Sequence, residues 1–299
     1  LIRQSVRMGI LPDRVFADTA KNFGISFSSM PALSSGEYEL TYLSAFGWVK
    51  MPLTCIASVE KTQYLRTVSD LRRNGVTPVG VLTAPRPPGT SRSGASSAAL
   101  VAAPAQALSA AELLPLFTDT INTFAGSVLH WQLGGDEGSG TPASAAYTVT
   151  EVAKFLHAVS YDAKVGTPVT SERDIAALPK ESVNFMVVPA GKMDASTAGA
   201  GVECWAWIDP AQWFSGAADP LCKAVQDISA AFSGGARVVF LRDPWQTRGI
   251  LDGDGNVTSF ALALINLATQ LSNYKYSGSI AFPNGTSNAV FSSPDDTKV

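Results

Sequence analysis

What most restricts the fold of this chain is a rhythm: eight short apolar runs that read as strands, nearly all followed by a longer amphipathic segment that reads as a helix. The strand-like runs are residues 23–28 (FGISFS), 48–53 (WVKMPL), 76–83, 128–133, 164–169, 183–188, 202–208 and 236–241. The helix-like segments fall at about 37–46, 60–74, 110–124, 145–161, 172–178, 221–232 and 260–271. In the second helix Tyr64, Leu65, Val68 and Leu71 share one face, the spacing that a 3.6-residue period requires of a helix packed on a core. Asn74-Gly75 ends it, because glycine supplies the left-handed turn residue just past a helix.

Strands alternating with helices call for a parallel sheet with helices outside, and eight repeats in roughly 250 residues match an α/β fold of the closed (β/α)8 TIM-barrel type. An open doubly wound sheet is the rival. It would carry a glycine-rich turn after its first strand, and residues 24–36 contain no GxGxxG. Residues 1–275 are read as the barrel with an N-terminal extension of about residues 1–20, and residues 276–299 as a hairpin tail. Asn284-Gly285 and Asp295-Asp296 mark turns in that tail, which would belong to or lead into an accessory β domain. The run from Pro85 to Ala107 is too rich in Pro, Gly and Ser to pack for most of its length and reads as a strand-to-helix loop.

Several functions are disfavoured by composition. A net charge of −3 with 22 scattered Lys and Arg leaves no basic face for nucleic acid. No apolar run approaches the length that spans a bilayer, so membrane insertion is not expected. Cys55, Cys204 and Cys222 are far apart with no CxxC pair; Cys204 and Cys222 could pair, and free buried thiols are the other reading. His130 and His157 are the only histidines and neither has a ligand at metal spacing, so no metal and no cofactor are expected. With no GxSxG elbow, a Ser-His-Asp enzyme is also hard to build. Asp252-Gly253-Asp254-Gly255-Asn256 imitates a calcium loop, but Val257 takes its glycine position, leaving a tight turn. The chain opens on Leu1 with no signal-like segment before the domain, and reads as a piece of a longer chain.

The candidate site lies where the fourth strand ends, in LHWQLGGDEG from Leu129 to Gly138. An apolar strand runs into Gly134 and Gly135 and then into Asp136 and Glu137, which places two carboxylates at a strand mouth. In parallel α/β folds the carboxyl ends of the strands are where ligands sit. A solvated loop whose acids cap the next helix is the alternative.

Three segments resemble the clan of (β/α)8 retaining glycoside hydrolases that carry an Asn-Glu pair at the end of strand four. They are Gly47-Trp48-Val49 with Glu60 and YLRTVSDLRRNGVTPVGVLT, the WQLGGDEG mouth, and ARVVFLRDPWQTRGILDGDGNVTSFALALINLATQL. The resemblance spans about residues 20–275 and implies a glycan or small glycoside as partner, an extracellular or periplasmic setting, and a multidomain parent chain. By it, Glu137 matches the acid/base, while Asp136 stands where the clan has asparagine. An ionised aspartate only accepts hydrogen bonds, whereas asparagine also donates. Retention needs a second carboxylate roughly 5 Å away. The clan keeps that nucleophile, a glutamate, at the end of strand seven, which here reads VECWAWIDPAQW. Glu203 opens the strand and Asp209 closes it, so Asp209 is the candidate nucleophile, with an Asp-Pro turn as its other reading.

Around this pair, Trp213 and Trp245 lie beyond their strands and are read as lining a cleft, where indole faces stack on sugars; Trp131 and Trp205 are read as core. Asp243, with Arg242, would supply polar contacts, or form a plain surface pair. Two functions follow. One is a glycoside hydrolase-like barrel with Glu137 as acid/base and Asp209 as nucleophile. The other is a non-catalytic pseudo-glycosidase, binding carbohydrate or acting as a scaffold within a larger surface or secreted protein.

Overall fold

The computed structural model describes residues 22–28, 46–54, 56, 58–83, 110–136, 146–194, 197, 199–216, 219–244, 258–271, 274–283 and 287–292. Within them the predicted rhythm becomes a closed parallel barrel in the order β1 to β8. Its strands are β1 (Phe23–Ser26), β2 (Trp48–Pro52), β3 (Thr77–Leu82), β4 (His130–Leu133), β5 (Lys164–Pro168), β6 (Phe185–Pro189), β7 (Glu203–Ile208) and β8 (Val238–Arg242). The helices are α1 (Ser58–Arg73), α2 (Ala110–Phe124), α3 (Ala146–Val159), α4 (Glu172–Ala176), α5 (Pro220–Ser233) and α6 (Ser259–Leu271). The helix expected at 37–46 and the loop 85–107 lie outside the described residues, as does the N-terminal extension.

Local chemistry sets several boundaries. α1 carries Glu60 in its first turn and Arg72 and Arg73 in its last, each opposing the partial charge at its helix end. Gly75 then takes φ +76°, beyond the reach of most side chains. α5 starts at Pro220, whose missing N–H costs nothing at that position, and Asp219 caps it by accepting from the Leu221 N–H at 2.8 Å. The short α4 is closed by a reciprocal capping box between Ser171 and Asp174.

Alternation along each strand divides its side chains between two cores. Outward residues such as Ile25, Val49, Met51, Trp131 and Leu133 are buried under the helices. Inward residues fill the bore, and the stagger of the strand registers stacks them in tiers drawn from alternate strands. From the amino-terminal end, the first tier is Trp48, His130, Phe185 and Val238. Above it lie Gly24, Val79, Gly166 and Trp205, then Lys50, Gln132, Val187 and Phe240, and at the mouth Ser26, Val81, Pro168 and Trp207. The two glycines accommodate aromatic rings: a Cβ on Gly24 would lie 2.5 Å from Phe240, and one on Gly166 2.0 Å from Phe185. Trp205 stacks on Phe185 with centroids 3.7 Å apart.

Among the described residues, little helix covers β5 to β7. After β5 comes only the five-residue α4, and after β6 a 3₁₀ turn at Ala190–Lys192. Val169, Met186, Val188, Ala200 and Cys204 form a small core of their own there. Cys204 and Cys222 are both free, so no bridge joins them, and burial pushes the Cys204 thiol up to about 12. Outside the repeat, β9 (Lys275–Ala281) and β10 (Ser287–Ser292) make the expected antiparallel hairpin. Phe291 docks it, with ring centroids 5.8 Å from Tyr276 and 6.1 Å from Phe232 of α5.

Candidate functional site at the carboxyl mouth

At the end of β4 the backbone turns at Gly134, φ +102°, whose N–H still donates to Leu82 O at 2.8 Å. Beyond this turn the Asp136 side chain lies in the bore, leaving the residue 8% exposed. There its Oδ1 accepts from Lys50 Nζ at 2.7 Å and from Gln132 Nε2 at 3.0 Å. Its Oδ2 accepts from the Ser26 hydroxyl. Three strands, β1, β2 and β4, therefore converge on one carboxylate.

Lys50 is fully buried, and its ammonium sits 4.1 Å from the centroid of the Phe240 ring. Burial pulls its pKa down, opposed by the charge of Asp136 and the hydrogen bond to it. For Asp136, burial alone would raise the pKa. The Lys50 charge and the hydrogen bonds from Lys50, Ser26 and Gln132 outweigh it and hold the carboxyl below its ordinary range. Asp136 is thus committed within the protein, its carboxylate engaged by Lys50, Gln132 and Ser26.

The other expected site residues are placed as follows. Glu137 and Trp245 lie outside the described residues. Asp209 stands at the mouth of β7, half-buried, as N-cap of the 3₁₀ turn Pro210–Phe214, where its Oδ1 accepts from the Ala211 N–H at 2.9 Å. Asp243 takes φ +40°, unusual for a residue with a side chain. Its Oδ1 accepts from the Ser28 N–H at 2.7 Å and its Oδ2 lies 3.6 Å from Arg242 Nε, so it ties the end of β8 to the end of β1. Asp136, Asp209 and Asp243 all belong to carboxyl ends of strands, and each is engaged by its own chain.

Trp213 corrects an expectation. Read as lining a cleft, it is 1% exposed, donates its indole N–H to Asp227 at 2.9 Å and packs against Phe260, so no face is left for a sugar. Among the described residues, a half-exposed tryptophan at the mouth is Trp207, with the Arg242 guanidinium 5.8 Å from its ring centroid. Trp207 and Lys50 were not singled out as site residues from the sequence. For Lys50 a signal existed: in WVKMP it shares the inward face with Trp48 and Pro52, and a lysine facing a closed bore must find a partner there. Among the described residues no group of three or more His, Cys, Asp or Glu could hold a metal ion, and no helix is long and apolar enough to cross a membrane.

No family model matches the sequence, and comparison with curated proteins returns no match. The fold nevertheless defines a class, the (β/α)8 barrels. Among solved structures, the chain is similar to a GH30 endoxylanase from Clostridium papyrosolvens, with TM-score 0.58, 11% identity, and coverage of 93% of this chain and 81% of that one. An exo-β-1,4-mannosidase from an Opitutaceae bacterium gives TM-score 0.57 and 10% identity over 90% of this chain and 64% of that one. A GH10 xylanase from Thermobacillus composti gives TM-score 0.51 and 12% identity over 84% of this chain and 98% of that one. At these identities the likeness establishes the fold.

Proposed function

We propose that this chain is a glycosidase-type (β/α)8 barrel whose carboxyl mouth binds a glycan, and that it binds without hydrolysing. The observation that carries the second half is the state of the mouth carboxylates. Double displacement needs one carboxylate to attack and one to protonate, both facing the scissile bond. Asp209, the candidate nucleophile, spends its side chain capping the turn that follows β7. Asp136 is held by Lys50 inside the bore. Glu137, the acid/base by resemblance, is then the residue we assign to orienting a glycan, by accepting hydroxyl hydrogen bonds.

The solved structures named above favour the second reading, hydrolysis with Glu137 as acid/base and Asp209 as nucleophile, since all three are described by their glycan-cleaving activity. We further propose that the hairpin of β9 and β10 belongs to, or leads into, an accessory β domain. The test is a panel of aryl β-glycosides assayed for hydrolysis and, by calorimetry, for binding, with wild type and Glu137→Gln. Binding without turnover supports the proposal. Turnover abolished by Glu137→Gln establishes the hydrolase reading, and neither binding nor turnover removes both.

A further inference from the structure

Outside the barrel wall, at the carboxyl ends of β5 and β6, lies a cavity of about 300 Å³ that opens to solvent. Its floor is aliphatic: Val169 and Val188 are buried and Ile175 is half-buried. Its rim is polar and exposed, and includes Ser171, Glu172 and Lys192. The strand pattern explains its place. Val188 alternates with the inward Val187 and Pro189 and so faces out of the bore, and the five-residue α4 leaves the space beside it open. The walls are held in position, since Lys192 Nζ donates to Thr170 O at 2.8 Å and the capping box of Ser171 and Asp174 fixes the start of α4.

The unspent hydrogen-bonding groups define the ligand. An ammonium has three donors, and Lys192 uses one of them. The Ser171 hydroxyl accepts from the Asp174 N–H at 3.3 Å, which leaves its own hydrogen to give. The Glu172 carboxylate only accepts, and has no hydrogen-bond partner among the described residues. Asp194 adds a second acid to the rim. Two acids repel an anion, and the Lys192 ammonium repels a lone cation. A neutral molecule with several hydroxyls suits both signs, because each hydroxyl donates and accepts. The aliphatic floor calls for a C–H surface on the same molecule. Size limits it further: about 300 Å³ is the small end of ligand pockets, enough for one ring and too little for a chain.

We propose that this cavity is a second glycan site, separate from the mouth, holding one neutral pyranose unit with its C–H face on Val169, Ile175 and Val188 and its hydroxyls toward Ser171, Glu172 and Lys192. The inference takes its ligand class from the glycan reading, but the cavity shares no lining residue with the mouth. Because it opens outward, the unit it holds is a chain end or a branch, and the rest of the glycan extends into solvent.

The experiment follows the methyl signals of Val and Ile by NMR while methyl β-glucoside, β-mannoside, β-galactoside and β-xyloside are added. Val169, Ile175 and Val188 report the cavity, and Val81 reports the mouth. At least one glycoside is expected to shift the three cavity signals. Lys192 is exposed, and Lys192→Met is expected to weaken that binding about five- to tenfold without altering any shift at Val81. Glucuronate, and glucosamine protonated below neutral pH, are expected to bind the cavity less tightly than glucose; tighter binding of either overturns the neutral assignment. Shifts at Val81 alone, or cavity binding that Lys192→Met leaves untouched, overturn the second site while the mouth reading stands. Shifts in the cavity alone keep the second site and remove the mouth reading, and no shift at either place removes both.

Discussion

Replacing Lys50 with methionine keeps the length and most of the volume of the side chain and removes its charge. The Asp136 carboxylate is then left in the bore with only Ser26 and Gln132 as donors. Both members of the pair are almost out of solvent, with side chains 0% and 5% exposed, so water does not replace the lost partner. Removing one partner of such a pair costs about 3–5 kcal/mol. For a domain of this size that lowers Tm by roughly 6–12 °C. Asp136→Leu is expected to cost a similar amount, because it strands the Lys50 ammonium. The double variant Lys50→Met/Asp136→Leu should recover most of the loss, since an apolar replacement of a whole buried pair is often neutral.

The pH dependence sharpens the test. In Lys50→Met the main influences lowering the Asp136 pKa are gone while burial still raises it. A carboxyl whose folded pKa exceeds its unfolded value near 3.9 destabilises the fold when ionised and is relieved as pH falls. The Tm difference between wild type and Lys50→Met should therefore shrink from pH 7 to pH 5. Additive losses in the double variant, or a difference that does not shrink on acidification, would refute the account of Asp136 as an internal partner of Lys50.

Acid should also act through His130, whose pKa is lowered to about 4 by burial first and by Lys164 and Arg237 second. A folded pKa below the unfolded 6.5 means stability is lost as pH falls through that window, at most about 3 kcal/mol from a shift of 2.5 units, and His130→Phe should remove this component of the stability profile in urea titrations at pH 7 and pH 4.5. Gly166→Ala places a methyl group 2.0 Å from the Phe185 ring, and a loss of about 1–3 kcal/mol in the same titrations is expected, with no loss refuting the tier assignment.

Most of the barrel was legible because each strand is bounded by a chemical stop. Asn74-Gly75 separates α1 from β3, and the helix read at 110–124 has those bounds in the structure. β4 begins at His130, two residues later than read from the apolar run starting at Val128, because apolarity marks burial and not ladder hydrogen bonds. The site was less legible. That Asp136 follows two glycines could be read; that it turns inward onto Lys50, 86 positions away in sequence, could not. Trp213 lies past its strand in sequence, as a cleft residue would, yet the Pro210–Phe214 turn folds it back toward Asp227. Position along the chain sets distance from the strand end, whereas the turn sets direction.

The seam between β8 and β1 has a kinetic consequence. Its closing contact, Ser28 to Asp243, spans 215 positions, and β1 has no second neighbour until β8 has been made. During synthesis the first strand therefore waits with an open edge through almost the whole barrel, and ring closure is a late event that pays its loop entropy in one step. Circular permutants that make β8 and β1 adjacent in sequence should fold faster than the natural order at similar stability.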